Sequence, residues 1–338
     1  MRGTSSELFV GVDFGGTKIA VVVAGADGQI VAEGVIPTLP LDGPEQAVRR
    51  THHLLEELCT PQSLDYRAIG IGLPGLVDRE AGTILFLPNL PVSWRDFKIS
   101  AAFAQYTERP VYLLSDARMA TLGEFTYGSA RGSNDLLVVT VGTGIGGGLV
   151  LDGRLRLGAF GAAGEIGHHT ILPEGPPCSC GANGCLETLV SGPKLAADGR
   201  SLMQKGQARR LSELTNGDPA KVTATLMAKA ARSGDQEVAA VIERAAEYLG
   251  IGIANAITIT AVTQVVIGGG LVSLGELLLA PVRRVVRERV RMFPSQSVEV
   301  NLSVLGEKFG ALGGVALAAQ EYQSTANLKL AQTCRASA

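Results

Sequence analysis

LFVGVDFGGTKIAVVVA, residues 8–24, and DLLVVTVGTGIGGGLVLDGRLRLG, residues 135–158, follow one plan. Each starts with a run of β-branched and apolar residues and breaks at a glycine-rich turn. Each then resumes as a second run and meets an Asp-Gly hairpin signal, Asp27-Gly28 or Asp152-Gly153. In the first copy the chain returns into a third strand, Gln29 to Pro37. Two three-stranded openings of this kind predict two related α/β domains facing one another, with the ligand site in the cleft between them.

The intervening sequence fits that plan. Pro44 to Cys59 reads as a helix with Val48, Leu54, Leu55 and Leu58 near one face, and AIGIGLPG (68–75) as a buried strand. A helix is expected around Ile99 to Tyr106. A strand from Val111 to Leu114 then ends at Ser115-Asp116. After the second opening come a Gly- and Cys-rich loop (158–187), mostly helical sequence to about 260, the strand QVVIGGG (264–270), an arginine-rich helix and a last helix at 309–322. The small, polar tail beyond is expected to fray. The domains are therefore expected at 1–117, completed by the helix at 309–322, and at 118–308, with the Cys-rich loop in the larger one.

Composition narrows the function. Of 338 residues, 46% are hydrophobic and 18% charged, enough for a substantial core. The 43 glycines exceed the usual share of roughly 7% and gather at the ends of apolar runs, as sharp turns or close ligand approach would require. A net charge of −2 argues against a general nucleic-acid binder. The arginines at 283, 284, 287, 289 and 291 alternate with Val282, Val285, Val286 and Val290, the pattern of a helix with one wet face. No apolar run reaches the roughly 18 residues of a membrane span, and the N-terminus lacks a signal peptide's apolar region. A cytoplasmic protein with no membrane partner is expected. Among five cysteines, Cys178, Cys180 and Cys185 cluster while Cys59 and Cys334 stand apart, which suits a metal site in a reducing compartment better than a disulfide framework.

The first turn, Asp13-Phe14-Gly15-Gly16-Thr17-Lys18, offers bare backbone N–H groups, a hydroxyl and a cation to a phosphate. Asp13, at the strand end, could hold a hydrated Mg²⁺, which takes one or two carboxylates plus phosphate oxygens. The second turn contains G-x-G-x-x-G at Gly142, Gly144 and Gly147, but strand rather than helix follows. The dinucleotide fingerprint needs that helix, so a nicotinamide site is rejected. Two such turns on facing domains could clamp a triphosphate from both sides. In the Cys-rich loop, His168 or His169 with Cys178, Cys180 and Cys185 supplies the Cys₃His donor set of a closed tetrahedral zinc site. Asp116, just past a strand, reads either as a cleft carboxylate or as a helix N-cap.

DFGGTK, GTGIGGG and GEIGHHTILPEGPPCSCGANGCLET together resemble the ROK family of sugar kinases, repressors and uncharacterised reading frames, from Leu8 to about Tyr322. The resemblance implies an actin-like, ribonuclease-H-like pair of α/β domains, the ASKHA-type sugar-kinase fold. It implies ATP and Mg²⁺ at Asp13, Gly15, Gly16, Thr17, Lys18, Gly142, Thr143 and Gly144, with Gly268, Gly269 and Gly270 on the adenosine side. Asp116 becomes the general base acting on the 6-hydroxyl of a hexose. Glu165, His168 and Glu187 become sugar ligands, with Gly75, Asn89 and Ser115 lining the same pocket, and His168 matches the zinc-ligand position of a structural site. A homodimer or homotetramer is the expected assembly. The family's repressors carry an extra N-terminal DNA-binding module, which a first strand at residue 8 is expected to exclude.

Two departures stand out. Ser115-Asp116 replaces the family's usual Asn-Asp, which puts the sugar's identity in doubt. TAVTQVVIGGG lacks the acidic residue and proline often found before that strand, and nothing in the sequence accounts for this. An ATP-dependent hexose kinase, most like a glucokinase, is the leading expectation. A kinase for an amino sugar or a cyclitol, and a sugar-sensing protein without turnover, are the alternatives; Asp13, Lys18 and Asp116 are residues a pure sensor could lack. Trp94 is expected to pack rather than to carry a sugar.

Overall fold

The computed structural model describes residues 7–86 and 90–336. The strands and helices run β1 (Leu8–Phe14), β2 (Lys18–Gly25), β3 (Ile30–Pro37), α1 (Pro44–Cys59), β4 (Tyr66–Leu73), β5 (Leu76–Asp78), β6 (Thr83–Phe86), α2 (Ile99–Phe103), β7 (Val111–Ser115) and α3 (Asp116–Tyr127). They continue β8 (Leu136–Val141), β9 (Ile145–Leu151), β10 (Arg154–Arg156), α4 (Leu186–Val190), α5 (Gly192–Gln204), α6 (Arg209–Leu214), α7 (Ala224–Arg232) and α8 (Gln236–Thr260). The last are β11 (Gln264–Gly268), α9 (Glu276–Arg289), β12 (Glu299–Leu302) and α10 (Phe309–Ala336). Two units emerge, one of residues 1–132, 155–163 and 308–338, the other of 133–154 and 164–307.

Each unit holds a five-stranded sheet of the same topology, β3-β2-β1-β4-β7 in the first and β10-β9-β8-β11-β12 in the second. In the first, β1–β2–β3 are antiparallel and β1, β4 and β7 parallel. In the second, β8 and β9 are antiparallel and β8, β11 and β12 parallel. The strand sequences explain the order: central β1 and β4 are Val-, Ile- and Gly-rich and buried almost throughout, whereas outer β3 alternates wet and dry residues. Parallel strands share a carboxyl edge. Register pairs Asp13 with Gly72 and Leu73 with Ser115, so the first glycine turn, Gly75 and Ser115-Asp116 line one edge of the first sheet. In the second sheet, Gly268 pairs with Thr140, which sets the turn at Gly142 beside the glycines that end β11.

Several glycines serve packing rather than ligands, contrary to the expectation that they mark turns and ligand approach. α10 lies against β1 and β4 so closely that a Cβ on Gly11 would stand 1.8 Å from the carbonyl oxygen of Ala311, and one on Gly70 2.1 Å from that of Gly314. Gly123 of α3 meets α10 the same way, 2.3 Å from the oxygen of Phe309. This seam also moves the expected boundary at 117: α3 packs on α10, so the first unit runs on to Gly132. Leu155 and Leu157 join the apolar cluster of Leu114, Met119 and Leu122, which returns residues 155–163 to that unit. The final helix does not stop at 322, and the expected frayed tail is its continuation to Ala336.

In α9, Val282, Val285 and Val286 are buried, with Val290 just beyond it. Arg284 meets Glu243, Glu247 and Glu288 on the exposed side, as a wet face should. No helix among the described residues is long and apolar enough to cross a membrane.

Candidate functional site

The first glycine turn is closed by Gly15 N–H donating to the Lys18 carbonyl at 2.9 Å. Its conformation is fixed by a residue the sequence reading passed over. Thr38, fully buried, donates its hydroxyl to the Gly15 carbonyl at 2.7 Å and its N–H to the Thr17 carbonyl at 2.9 Å. Arg50 in turn donates to the Thr38 carbonyl and, at 2.9 Å, to Asp42. The available signal was a threonine directly after the third strand, in IPTLP. Gly16 is half-buried, and Thr17 and Lys18 are exposed. Asp13 abuts the first turn of α10, where a Cβ on Gly310 would meet its Oδ2 at 2.3 Å. Desolvation there pushes the Asp13 carboxyl up to about 6, against the opposing pull of the Lys18 ammonium.

Farther along the same edge, Gly75 has φ +88°, a backbone region that side-chain-bearing residues rarely adopt, so the turn after β4 requires glycine. Asp116 is the first residue of α3, not its N-cap; Ser115 occupies the cap position without a side-chain cap bond. Asp116 Oδ1 accepts the Ala117 N–H at 2.7 Å, and a carboxylate at a helix N-terminus lies in a favourable dipole field. Ser115 is 4% exposed, and its Oγ has no hydrogen-bond partner among the described residues. Asn89 lies outside the described residues. Trp94 is fully buried, edge-on to Phe14, with Nε1 donating to the Pro40 carbonyl at 3.0 Å, and so is a packing residue.

In the second unit, Gly142 N–H donates to the Gly144 carbonyl at 2.9 Å, and the Gly142 carbonyl accepts from Gly192 N–H at 2.8 Å. Thr143 is exposed at the tip. Gly268, Gly269 and Gly270 stand alongside: a Cβ on Gly269, at φ +89°, would approach the Val141 carbonyl oxygen to 2.6 Å, while the space beside Gly270 is open. Glu187, in the first turn of α4, does not simply face outward. Its Oε2 accepts the Ile145 N–H at 2.7 Å.

The Cys-rich loop gathers His168, Cys178, Cys180 and Cys185 with donor atoms all within 4.8 Å of one another. Cys178 Sγ is 3.6 Å from His168 Nδ1, and Cys180 Sγ is 3.6 Å from Cys185 Sγ. Tetrahedral zinc, with bonds of about 2.0–2.3 Å, sets its donors roughly 3.5–3.8 Å apart, so these edges fit. Gly181 and Gly184, both at positive φ, wrap the loop. His168, not His169, joins the three thiols; the Nδ1 of His169 sits 2.5 Å from the Ile166 carbonyl oxygen. Burial first, and then the neighbouring thiols, push Cys185 up to about 12, so a cation in this space would be needed to hold it as a thiolate. Glu165 precedes the short helical turn Ile166–His168, and its carbonyl accepts the His168 N–H at 3.1 Å.

A sheet edge carrying a phosphate-type turn and a carboxylate, in a duplicated α/β scaffold with a Cys₃His loop, defines a narrow class. The chain belongs to the ROK family, which matches residues 9–321. It is 35% identical over 311 residues to the glucokinase of Thermotoga maritima, covering 91% of this chain and 96% of that one. It is 31% identical to the xylose repressor of Caldicellulosiruptor bescii, covering 91% and 77%. Among solved structures, a ROK glucokinase from Streptomyces griseus in complex with glucose and AMPPNP superposes with a TM-score of 0.82 at 32% identity, covering 93% and 99%. The two units carry the ASKHA-type sugar-kinase fold of the ROK glucokinases.

Proposed function

We propose that this ATP-dependent kinase of the hexokinase and glucokinase type transfers the γ-phosphoryl group of Mg-ATP to a hexose hydroxyl, the 6-hydroxyl of glucose or a close relative. The observation that carries the reading is the shared carboxyl edge on which Asp13 and Ser115-Asp116 stand. Asp116 takes the proton as the sugar oxygen attacks phosphorus and the bond to ADP breaks. The backbone N–H groups of Gly16, Thr17, Thr143 and Gly144, with Lys18, hold the phosphates, in turns that the N–H groups of Gly15 and Gly142 close. Gly268, Gly269 and Gly270 flank the nucleoside. A single carboxylate fits a Mg²⁺ that completes its shell with phosphates and water, so Asp13 would hold it. When bound, Mg²⁺ neutralises charge that develops on the phosphates.

Glu165, Glu187, the Nε2 of His168, Gly75, Asn89 and Ser115 bind the sugar. The donor set supports zinc at His168 Nδ1, Cys178, Cys180 and Cys185, which would order the loop between Glu165 and Glu187. Cys59 and the three cluster cysteines, without a disulfide among the described residues, suit the cytoplasm. Two or four copies assemble, which light scattering tests.

The decisive experiment is ADP release with Mg-ATP over a panel of hexoses, amino sugars and cyclitols, with the phosphorylated position read by NMR. Turnover on glucose at the 6-position supports the reading. Turnover on an amino sugar or cyclitol alone moves the acceptor. The match to a repressor keeps a sensor in view, and sugar binding in calorimetry with no ADP from any acceptor would establish it.

A further inference from the structure

The second glycine turn carries no charged side chain of its own, yet a carboxylate reaches into it. Glu187 Oε2 accepts the Ile145 N–H at 2.7 Å, and it fills the space beside Gly144 so closely that a Cβ there would stand 2.4 Å away. The other oxygen, Oε1, takes no hydrogen bond among the described residues. Two residues before Glu187 is Cys185, fully buried in the Cys₃His cluster. Five residues after it, Gly192 N–H binds the Gly142 carbonyl at 2.8 Å. The segment from the cluster to the start of α5 therefore grips the turn at both of its ends.

We propose that Glu187 is a positioning residue for the nucleotide turn, with Oε2 fixing the Gly144–Ile145 peptide while Oε1 meets the sugar, so that acceptor and nucleotide each tighten the other's binding. The inference rests on the sugar-kinase reading and adds a role to it. The peptide unit between Gly144 and Ile145 has few orientations once its N–H is held by a carboxylate. A charge-assisted hydrogen bond of this kind is stronger than a neutral one. A sugar that orders the Glu187 side chain removes part of the ordering cost of the turn, and binding linkage makes the effect reciprocal. Gly144 follows from the same contact, because any side chain there would displace Oε2.

The test measures the affinity of AMPPNP by calorimetry with and without glucose, together with hydrogen exchange at the Ile145 amide in the ligand-free protein. In the wild type, glucose should tighten AMPPNP by about fivefold or more, within the usual range of such couplings. Glu187→Ala should speed Ile145 exchange at least tenfold, weaken AMPPNP at least fivefold without any sugar, and reduce the glucose effect to less than twofold. Glu187→Gln keeps a carbonyl oxygen for the Ile145 N–H. It should restore exchange protection and nucleotide affinity to within threefold while still weakening glucose. Gly144→Ala should reproduce the alanine variant's loss of Ile145 protection with Glu187 intact, which covers the case in which Glu187→Ala fails to fold. Unchanged Ile145 exchange and AMPPNP affinity in Glu187→Ala would overturn the proposal and leave the kinase reading standing. A wild type that binds glucose but no AMPPNP would overturn both.

Discussion

The two glycine turns occupy the same place in the same topology, after the first strand of each sheet, but different parts of the chain hold them. The first is fixed from within its own sheet, by Thr38 at the end of β3 and by Arg50 of α1. It is flanked by charges of its own, Asp13 and Lys18. The second has no charge and is held by Glu187 and Gly192, which arrive from the Cys-rich loop and the helices that follow. The backbone cradle is common to both units, and the side chains around it differ. In the proposed kinase the first unit carries the groups that move protons and bind Mg²⁺, and the second carries recognition that depends on an ordered loop.

That contrast predicts different failures. The largest is chemical and belongs to the first unit: Asp116→Asn should lower kcat by roughly 10²–10⁴ while sugar and nucleotide affinities stay within a few-fold. Retention of a third of wild-type kcat would remove Asp116 from the role of base. Failure in the second unit should appear in binding. Metal analysis should find about one zinc per chain. Chelation or Cys185→Ser should lower kcat/KM for the sugar by about 10–100-fold, the usual consequence of disturbing a metal site's surroundings, whereas Cys59→Ala should not. Full activity in demonstrably zinc-free protein would separate the loop from recognition.

Protonation of Asp13 gives the first unit a second mode of failure. In the proposed reaction Asp13 must be ionised to hold Mg²⁺, and desolvation raises it to about 6. At pH 5, one unit lower, about a tenth of the free enzyme carries the carboxylate, so kcat/KM for ATP should fall about tenfold from its plateau above pH 7. Added Mg²⁺ competes with the proton and should move this limb to lower pH. For folding the sign is reversed. The folded state holds this proton more tightly than the unfolded chain, so Asp13 removes stability as pH rises from the ordinary carboxylate range through about 6. Asp13→Asn should abolish that pH-dependent loss along with the activity limb, and an unshifted limb in this variant would reassign it.

Much of this was legible in the sequence, because hydrophobic runs, glycine turns and Asp-Gly hairpins are local signals. The two openings, α1 at Pro44–Cys59 and the Cys₃His cluster needed no knowledge of distant contacts. Tertiary relations were not legible. Gly11, Gly70 and Gly123 look like ligand or turn glycines until α10 is laid against them. Thr38 looks like a loop residue until its hydroxyl meets Gly15. Glu187 could be recognised as a sugar ligand by resemblance, but nothing near it in the chain indicates that its Oε2 is already bound to Ile145. The first unit runs past 117 for the same reason, since the packing of α3 on α10, almost 200 residues later in the chain, leaves no local mark.

The smallest expected effect concerns Ser115, where the chain departs from the Asn-Asp of the family it resembles. Its hydroxyl is buried and without a hydrogen-bond partner among the described residues, next to the proposed base. A buried polar group left unpaired costs stability, so Ser115→Ala should hold or slightly raise the melting temperature. The same change should weaken the acceptor, because a typical hydrogen bond is worth about 0.5–1.5 kcal/mol net, or roughly two- to twelvefold in affinity. Opposite signs in stability and binding would mark a hydroxyl kept for a ligand rather than for the fold. Ser115→Asn adds an amide that reaches farther and both donates and accepts. On plain glucose it should lower KM; on an acceptor with a bulkier substituent it should raise KM by filling the space that serine leaves. Comparing kcat/KM for wild type and both variants over the acceptor panel therefore reports the shape of the natural substrate. An unchanged preference throughout would mean that this position does not read the sugar, and that selectivity lies in the second unit with Glu165 and Glu187.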